Sequence, residues 1–209
     1  MLLAASFLIA AFMMPLTALA DSEKPGRRVA LVIGNSDYAS VSRLTNPKND
    51  ATAVAQRLID FGFSVTLLLD VGKADFEEQI RKFADSLNGA EAAVFFYAGH
   101  GLQIDGRNYL VPIDADISNE ADLPFQLVAV DIALQRLASQ RITSIVVLDA
   151  CRNNPFSKKL AKQLGRRANA VGEGLASIYA SKDTLISFST QPGNVALDGD
   201  GPNSLLRKH

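Results

Sequence analysis

Two residues in this chain stand in settings suited to covalent catalysis. His100 lies between Gly99 and Gly101, just past the apolar run A-A-V-F-F-Y at 92–97. Cys151 follows the apolar run S-I-V-V-L at 144–148 and then Asp149-Ala150, and it precedes the loop-forming Arg152-Asn153-Asn154-Pro155. A thiol within reach of an imidazole is a nucleophile with its own base. The neighbours suit that use. Glycines on both sides of His100 let backbone approach a ligand closely. A cation beside a cysteine favours the thiolate. The backbone amides of Gly101 and Cys151 are candidate donors to an oxyanion. The plainer readings are a buried, inert cysteine and a structural histidine between two turn glycines.

For the pair to meet, strands must bring it together. Continuous apolar runs mark strands covered on both faces of a parallel sheet. In open α/β sheets, sites form beyond the carboxyl ends of such strands. Runs at 28–34, 64–69, 92–97, 144–149 and 184–189 read as five strands. Asn49 or Asp50 is expected to cap a helix that carries Val54, Ala55, Leu58 and Ile59 and stops at Gly62. Phe76, Ile80, Phe83 and Leu87 mark a second amphipathic helix. Residues 102–111 read as a hairpin turning at Asp105-Gly106. Residues 114–124 read as an acidic loop, and Asp131 as the cap of a third helix with Ile132, Leu134 and Leu137. Residues 153–170 read as a basic, polar loop. This order predicts an α/β fold, a mostly parallel central sheet flanked by helices, with right-handed crossovers.

Composition narrows the function classes. A net charge of −1 leaves no electrostatic footprint for nucleic acid. One cysteine excludes an internal disulfide and a multi-cysteine metal site, and two histidines leave little for a zinc site. The length suits one domain with a sizeable core. Residues 1–20 carry no charge and end in Ala18-Leu19-Ala20, the small-x-small pattern of a signal-peptidase site. They read as a secretory signal peptide cut after Ala20. With no Lys or Arg after Met1, an uncleaved anchor and a buried helix are the other readings. Residues 21–27 are then a linker and 28–209 the catalytic domain. The mature protein is expected to be periplasmic or secreted, without membrane attachment.

Five segments together carry a resemblance: V-A-L-V-I-G-N (29–35), N-P-K-N-D-A (46–51), F-F-Y-A-G-H-G (95–101), Y-L-V-P-I-D-A (109–115) and D-A-C-R-N-N-P-F (149–156). Caspases carry a histidine about 50 residues upstream of a cysteine flanked by Ala and Arg. Here the separation is 51 positions. The chain resembles the caspase-like cysteine peptidases over residues 27–200, and most closely their bacterial metacaspase-type members.

The resemblance implies a caspase-like three-layer sandwich and a cysteine endopeptidase acting on proteins or peptides. Cys151 would attack the peptide carbonyl. His100 would act as base and then protonate the leaving amine, giving an acyl-enzyme that water resolves. It also implies a pocket for Arg or Lys before the scissile bond, built from Asp50 and Asp149. A guanidinium between two carboxylates is a well-satisfied arrangement. The plainer readings are a helix N-cap for Asp50 and a strand-end cap for Asp149.

The departures have consequences. Metacaspases with a pocket serine hold it two residues before the histidine, where this chain has Ala98. No cofactor is expected. Calcium, which some relatives bind through aspartates, has Asp114, Asp116 and Asp131 as candidates, although no EF-hand-like spacing exists. A solvated acidic loop is the alternative reading of those three. An Arg/Lys-selective enzyme would find targets in its own loop at Lys158, Lys159, Arg166 and Arg167, or that loop is simply solvated. The segment after D-G-D-G-P-N-S is expected to be a shortened C-terminal part. A catalytically silent, caspase-like interaction module is the rival reading. A cysteine hydrolase of non-peptide acyl groups is a third.

Overall fold

The structure is a computed structural model that describes residues 26–140, 142–150, 156, 171–172, 175–179 and 182–189. Its centre is a five-stranded sheet, all of it parallel. The strands are β1 (Arg27–Gly34), β2 (Ser64–Leu69), β3 (Ala90–Ala98), β7 (Thr143–Asp149) and β9 (Thr184–Phe188), in the order β2-β1-β3-β7-β9. These are the five expected strands. β1 and β3 read as unbroken apolar runs because both faces are covered.

Three layers result. Helix α1 (Pro47–Asp60) covers one face, where Ala51 and Ala55 meet Ala30, Val32, Val94, Phe96 and Ala98. Helices α2 (Lys73–Ser86) and α4 (Val130–Ala138) cover the other. There Phe76, Ile80, Phe83, Ala133 and Leu137 pack on Leu31, Ile33, Phe95, Tyr97, Val146 and Leu148. Each fully buried Leu, Ile or Phe side chain is worth about 1.5–3 kcal/mol, so this face dominates cohesion.

Two caps differ from expectation. Helix α1 starts at Pro47, with Asn46 as its N-cap residue, so Asn49 and Asp50 lie inside it. Proline is preorganised for the first helical position and needs no partner for a missing N–H. Likewise α4 is capped at Ala129, and Asp131 sits in its first turn. Gly62 does stop α1: its φ is 80° and the Phe63 amide returns to the Leu58 carbonyl at 2.9 Å.

The hairpin forms as expected, from β4 (Gly101–Ile104) and β5 (Arg107–Leu110), with Asp105 and Gly106 at φ 49° and 75°. It belongs to a second, antiparallel sheet with β6 (Val128–Ala129) and β8 (Val171–Gly172), in the order β6-β5-β4-β8. The acidic stretch is not all loop. It includes a 3-10 turn, Glu120–Asp122, and the short helix α3, Leu123–Gln126.

Candidate active site

Strand β3 ends at Ala98 and β7 at Asp149, and these two residues are register partners. The Gly99 amide donates to the Asp149 carbonyl at 3.2 Å, so the two chains stay together one step further. His100 is two residues past Ala98, and Cys151 two residues past Asp149. Every pair from Ala92↔Thr143 to Ala98↔Asp149 differs by 51, so the spacing of histidine and cysteine equals the register offset of their strands. Cys151 itself, like the basic loop at 153–170 apart from Phe156, lies outside the described residues. Its neighbour Ala150 is fully buried.

The two glycines have specific reasons to be there. A Cβ on Gly101 would stand 2.8 Å from the Ala150 carbonyl and 2.9 Å from its Cβ. A Cβ on Gly99 would meet the Tyr97 and Tyr38 hydroxyls at 2.5 and 2.6 Å. The histidine turn therefore lies directly against the segment that leads into Cys151. Gly101→Ala is expected to lower stability by about 1–3 kcal/mol through forced backbone displacement, read as a lower denaturant midpoint.

His100 is buried at 4% exposure and held from several sides. Its amide donates to the Tyr38 hydroxyl at 2.8 Å. Its carbonyl accepts from the Tyr97 hydroxyl at 2.8 Å and from the Val111 amide at 3.1 Å. The Tyr38 ring lies 4.7 Å from the imidazole, centroid to centroid. Nε2 is 2.9 Å from the Ser42 carbonyl oxygen. A carbonyl only accepts, so Nε2 carries the proton and Nδ1 is the basic nitrogen of the neutral ring.

The two pocket candidates share a side of the sheet. Val94, Phe96 and Ala98 of β3 face α1, and Ile145 and Val147 of β7 pack into the same cluster. Asp149 continues that alternation, so its side chain lies on the α1 side. Asp50 is in the first turn of α1, beside Ala51 of the same cluster. Both are buried, at 3% for Asp50 and 1% for Asp149. Ala98 is buried among α1 residues and supplies no hydroxyl.

Two of the candidate calcium aspartates have separate partners. Asp114 accepts from the Lys73 amide at 2.9 Å and so covers the start of α2. Asp131 pairs with Arg107 at 3.5 Å. Among the described residues no group of three potential ligands gathers.

Sequence reasoning missed the groups that hold the histidine turn. Ser42 and Tyr38 come from the loop after β1, which begins at Asn35. The Asn35 amide group donates to the Val71 and Val111 carbonyls, and its oxygen accepts from the Val71 amide at 3.0 Å. Asp70 accepts from the Ser36 and Asp37 amides, and Lys48 reaches both Asp37 and Asp70. Burial opposes the charged form of Asp70. Its bonds to Lys48 and to the two amides outweigh that and hold its carboxyl below the ordinary range. The bonds of Lys48 to Asp37 and then Asp70 raise its pKa. Tyr38 and Tyr97 had a signal in the sequence, since a buried tyrosine hydroxyl needs a partner.

Comparison with known proteins bears on this geometry. Residues 27–208 match a family model described as "Caspase domain". The mucosa-associated lymphoid tissue lymphoma translocation protein 1 of Homo sapiens is 32% identical over 88 residues, which are 42% of this chain and 11% of that protein. Caspase-1 of Felis catus is 22% identical over 199 residues, 83% of this chain and 46% of that protein. A crystal structure of a protein from Geobacter sulfurreducens aligns at TM-score 0.48 and 18% identity, over 60% of this chain and 51% of that one. The chain spans less than half the length of each of these two curated relatives.

Proposed function

Because the chain belongs to the caspase-domain family of cysteine peptidases, we propose that it is an endopeptidase that works through His100 and Cys151 and cleaves after Arg or Lys. The observation that carries this reading is the β3–β7 register. The histidine and the cysteine lie the same number of residues beyond a paired position, at the carboxyl ends of adjacent parallel strands.

The steps follow from the fixed ring. The Ser42 carbonyl holds the Nε2 proton. Nδ1 takes the proton of the Cys151 thiol as sulfur attacks the substrate carbonyl, and the carbonyl oxygen gains charge facing the Gly101 and Cys151 amides. The imidazolium, stabilised by the same Ser42 carbonyl, returns its proton to the leaving amine. Water, deprotonated at Nδ1, then releases the acyl group and restores the thiol. Two buried carboxylates on the α1 side of this strand end, Asp50 and Asp149, support a cationic side chain before the scissile bond. The reading extends to location: residues 1–20 act as a signal peptide, and the enzyme works outside the cytoplasm.

The test is hydrolysis of short fluorogenic peptides ending in Arg, Lys or Asp by residues 21–209, with and without added calcium. Cleavage after Arg or Lys is expected. Cleavage after Asp would keep the dyad and overturn the pocket. A folded chain that cleaves none of them under either condition would overturn the peptidase reading.

A further inference from the structure

The groups that orient His100 come from a loop, and a loop must itself be fixed. Between Asn35 and Asn46 the chain carries no helix or strand, yet it supplies the Tyr38 hydroxyl and the Ser42 carbonyl. Within it, the Leu44 amide closes onto the Ser36 carbonyl at 3.0 Å, and the Ala39 amide reaches the Ile113 carbonyl at 2.8 Å.

A further set of ties converges on one ion pair. Asp70 follows β2 and continues its ladder, its amide donating to the Gly34 carbonyl at 3.0 Å. One carboxylate oxygen of Asp70 accepts from the Ser36 and Asp37 amides at 2.7 and 2.9 Å. The other lies 2.6 Å from Nζ of Lys48, in the first turn of α1. The same Nζ is 2.5 Å from Asp37, which Arg43 also contacts at 2.6 Å, one residue beyond Ser42. Three separate elements, the end of β2, the loop and the start of α1, are thus joined at a single cation. Asp70 holds this place with φ at 53°, a conformation that Asp and Asn tolerate better than other side chains.

We propose that the Lys48–Asp70 ion pair is a positioning device for His100, fixing the loop whose Ser42 carbonyl and Tyr38 hydroxyl set the orientation and the protonated nitrogen of the imidazole. Neither residue has a chemical role of its own. A partly exposed ion pair adds little to global stability, so its consequence is local. For its effect on catalysis this inference rests on the peptidase reading. For its effect on His100 it does not.

The test uses residues 21–209 with Lys48→Met, Asp70→Asn, both together, and Lys48→Arg. Asn keeps the size and backbone preference of Asp70 and can still accept from the two amides, so only the ion pair is removed. In the active enzyme each single variant is expected to lose kcat on the order of 10- to 100-fold with KM nearly unchanged, because small misplacements of a catalytic group act on the chemical step. The double variant should be no worse than the poorer single one, and Lys48→Arg should recover most of the rate.

The second readout is the His100 pKa by NMR in the Cys151→Ala background, with His209→Gln identifying the other resonance. Loss of the Ser42 carbonyl destabilises the imidazolium, so the pKa should fall in both Lys48→Met and Asp70→Asn. A field effect without repositioning would raise it when the cation is removed and lower it when the anion is removed. Opposite shifts, or kcat within twofold of wild type in both variants, would overturn the proposal. If the wild-type chain cleaves nothing, the peptidase reading fails and the pKa pair alone decides this one.

Discussion

Cys151→Ala is expected to abolish hydrolysis of every peptide that the wild-type chain cleaves, and His100→Gln to lower kcat on the order of 10³-fold or more. The sequence holds no second cysteine. The only other cysteine-like or imidazole group in the sequence is His209, the last residue. The backbone of His100 is held by Tyr38, Tyr97 and Val111, and its ring by the Ser42 carbonyl, so the imidazole has a fixed place. Gln is the informative replacement because its amide N–H can keep the bond to the Ser42 carbonyl while it accepts no proton. A double variant should be no slower than Cys151→Ala, since residues that act as one unit are not additive. Progress curves with a fluorogenic Arg peptide, beside thermal melts that show each variant folded, check this.

The second large effect falls on substrate choice. Asp149→Asn is expected to lower kcat/KM for Arg and Lys substrates by about 100-fold, the equivalent of about 3 kcal/mol for a buried ion pair that loses one partner. Substrates with an uncharged residue at that position should lose far less. Asp50→Asn should act in the same direction. Because both carboxylates would share one cation, the double variant should fall short of the product of the two losses. A peptide panel differing only at the residue before the scissile bond measures this. An equal loss on charged and uncharged peptides would make Asp149 a structural cap and remove it from the pocket.

The parts of this fold that were legible in the sequence are those whose signal is local. Strands β1, β3 and β7 are covered on both faces and so appear as continuous apolar runs. The hairpin announced itself through Asp105-Gly106, whose positive φ values need such residues. The start of α1 was misjudged because capping preference was weighed above Pro47, which preorganises the first turn. The strands β6 and β8 are two residues long and leave no periodic pattern to detect.

The site divides in the same way. His100 and Cys151 stand out by type, by glycine neighbours and by spacing. The support around His100 does not, because it depends on distant chain. The Ser42 carbonyl that holds Nε2 is 58 residues away in sequence and is a backbone group, which carries no residue-type signal. Asp70 and Lys48 look like ordinary surface charges until folding brings the end of β2 against the start of α1. Asp114 accepts from the Lys73 amide at the start of α2, a contact between residues 41 positions apart that no local pattern announces.

The central claim is that His100 activates Cys151, and the rate of covalent labelling tests it most directly. A peptide that ends in Arg and carries an alkylating group would be mixed with residues 21–209, and the modified residue mapped by mass spectrometry. The account predicts fast, stoichiometric labelling at Cys151 alone, slowed on the order of 100-fold in His100→Gln, because the thiolate and its base are one unit. Labelling of Cys151 at the rate of a free thiol in solution, unchanged by His100→Gln, would contradict it.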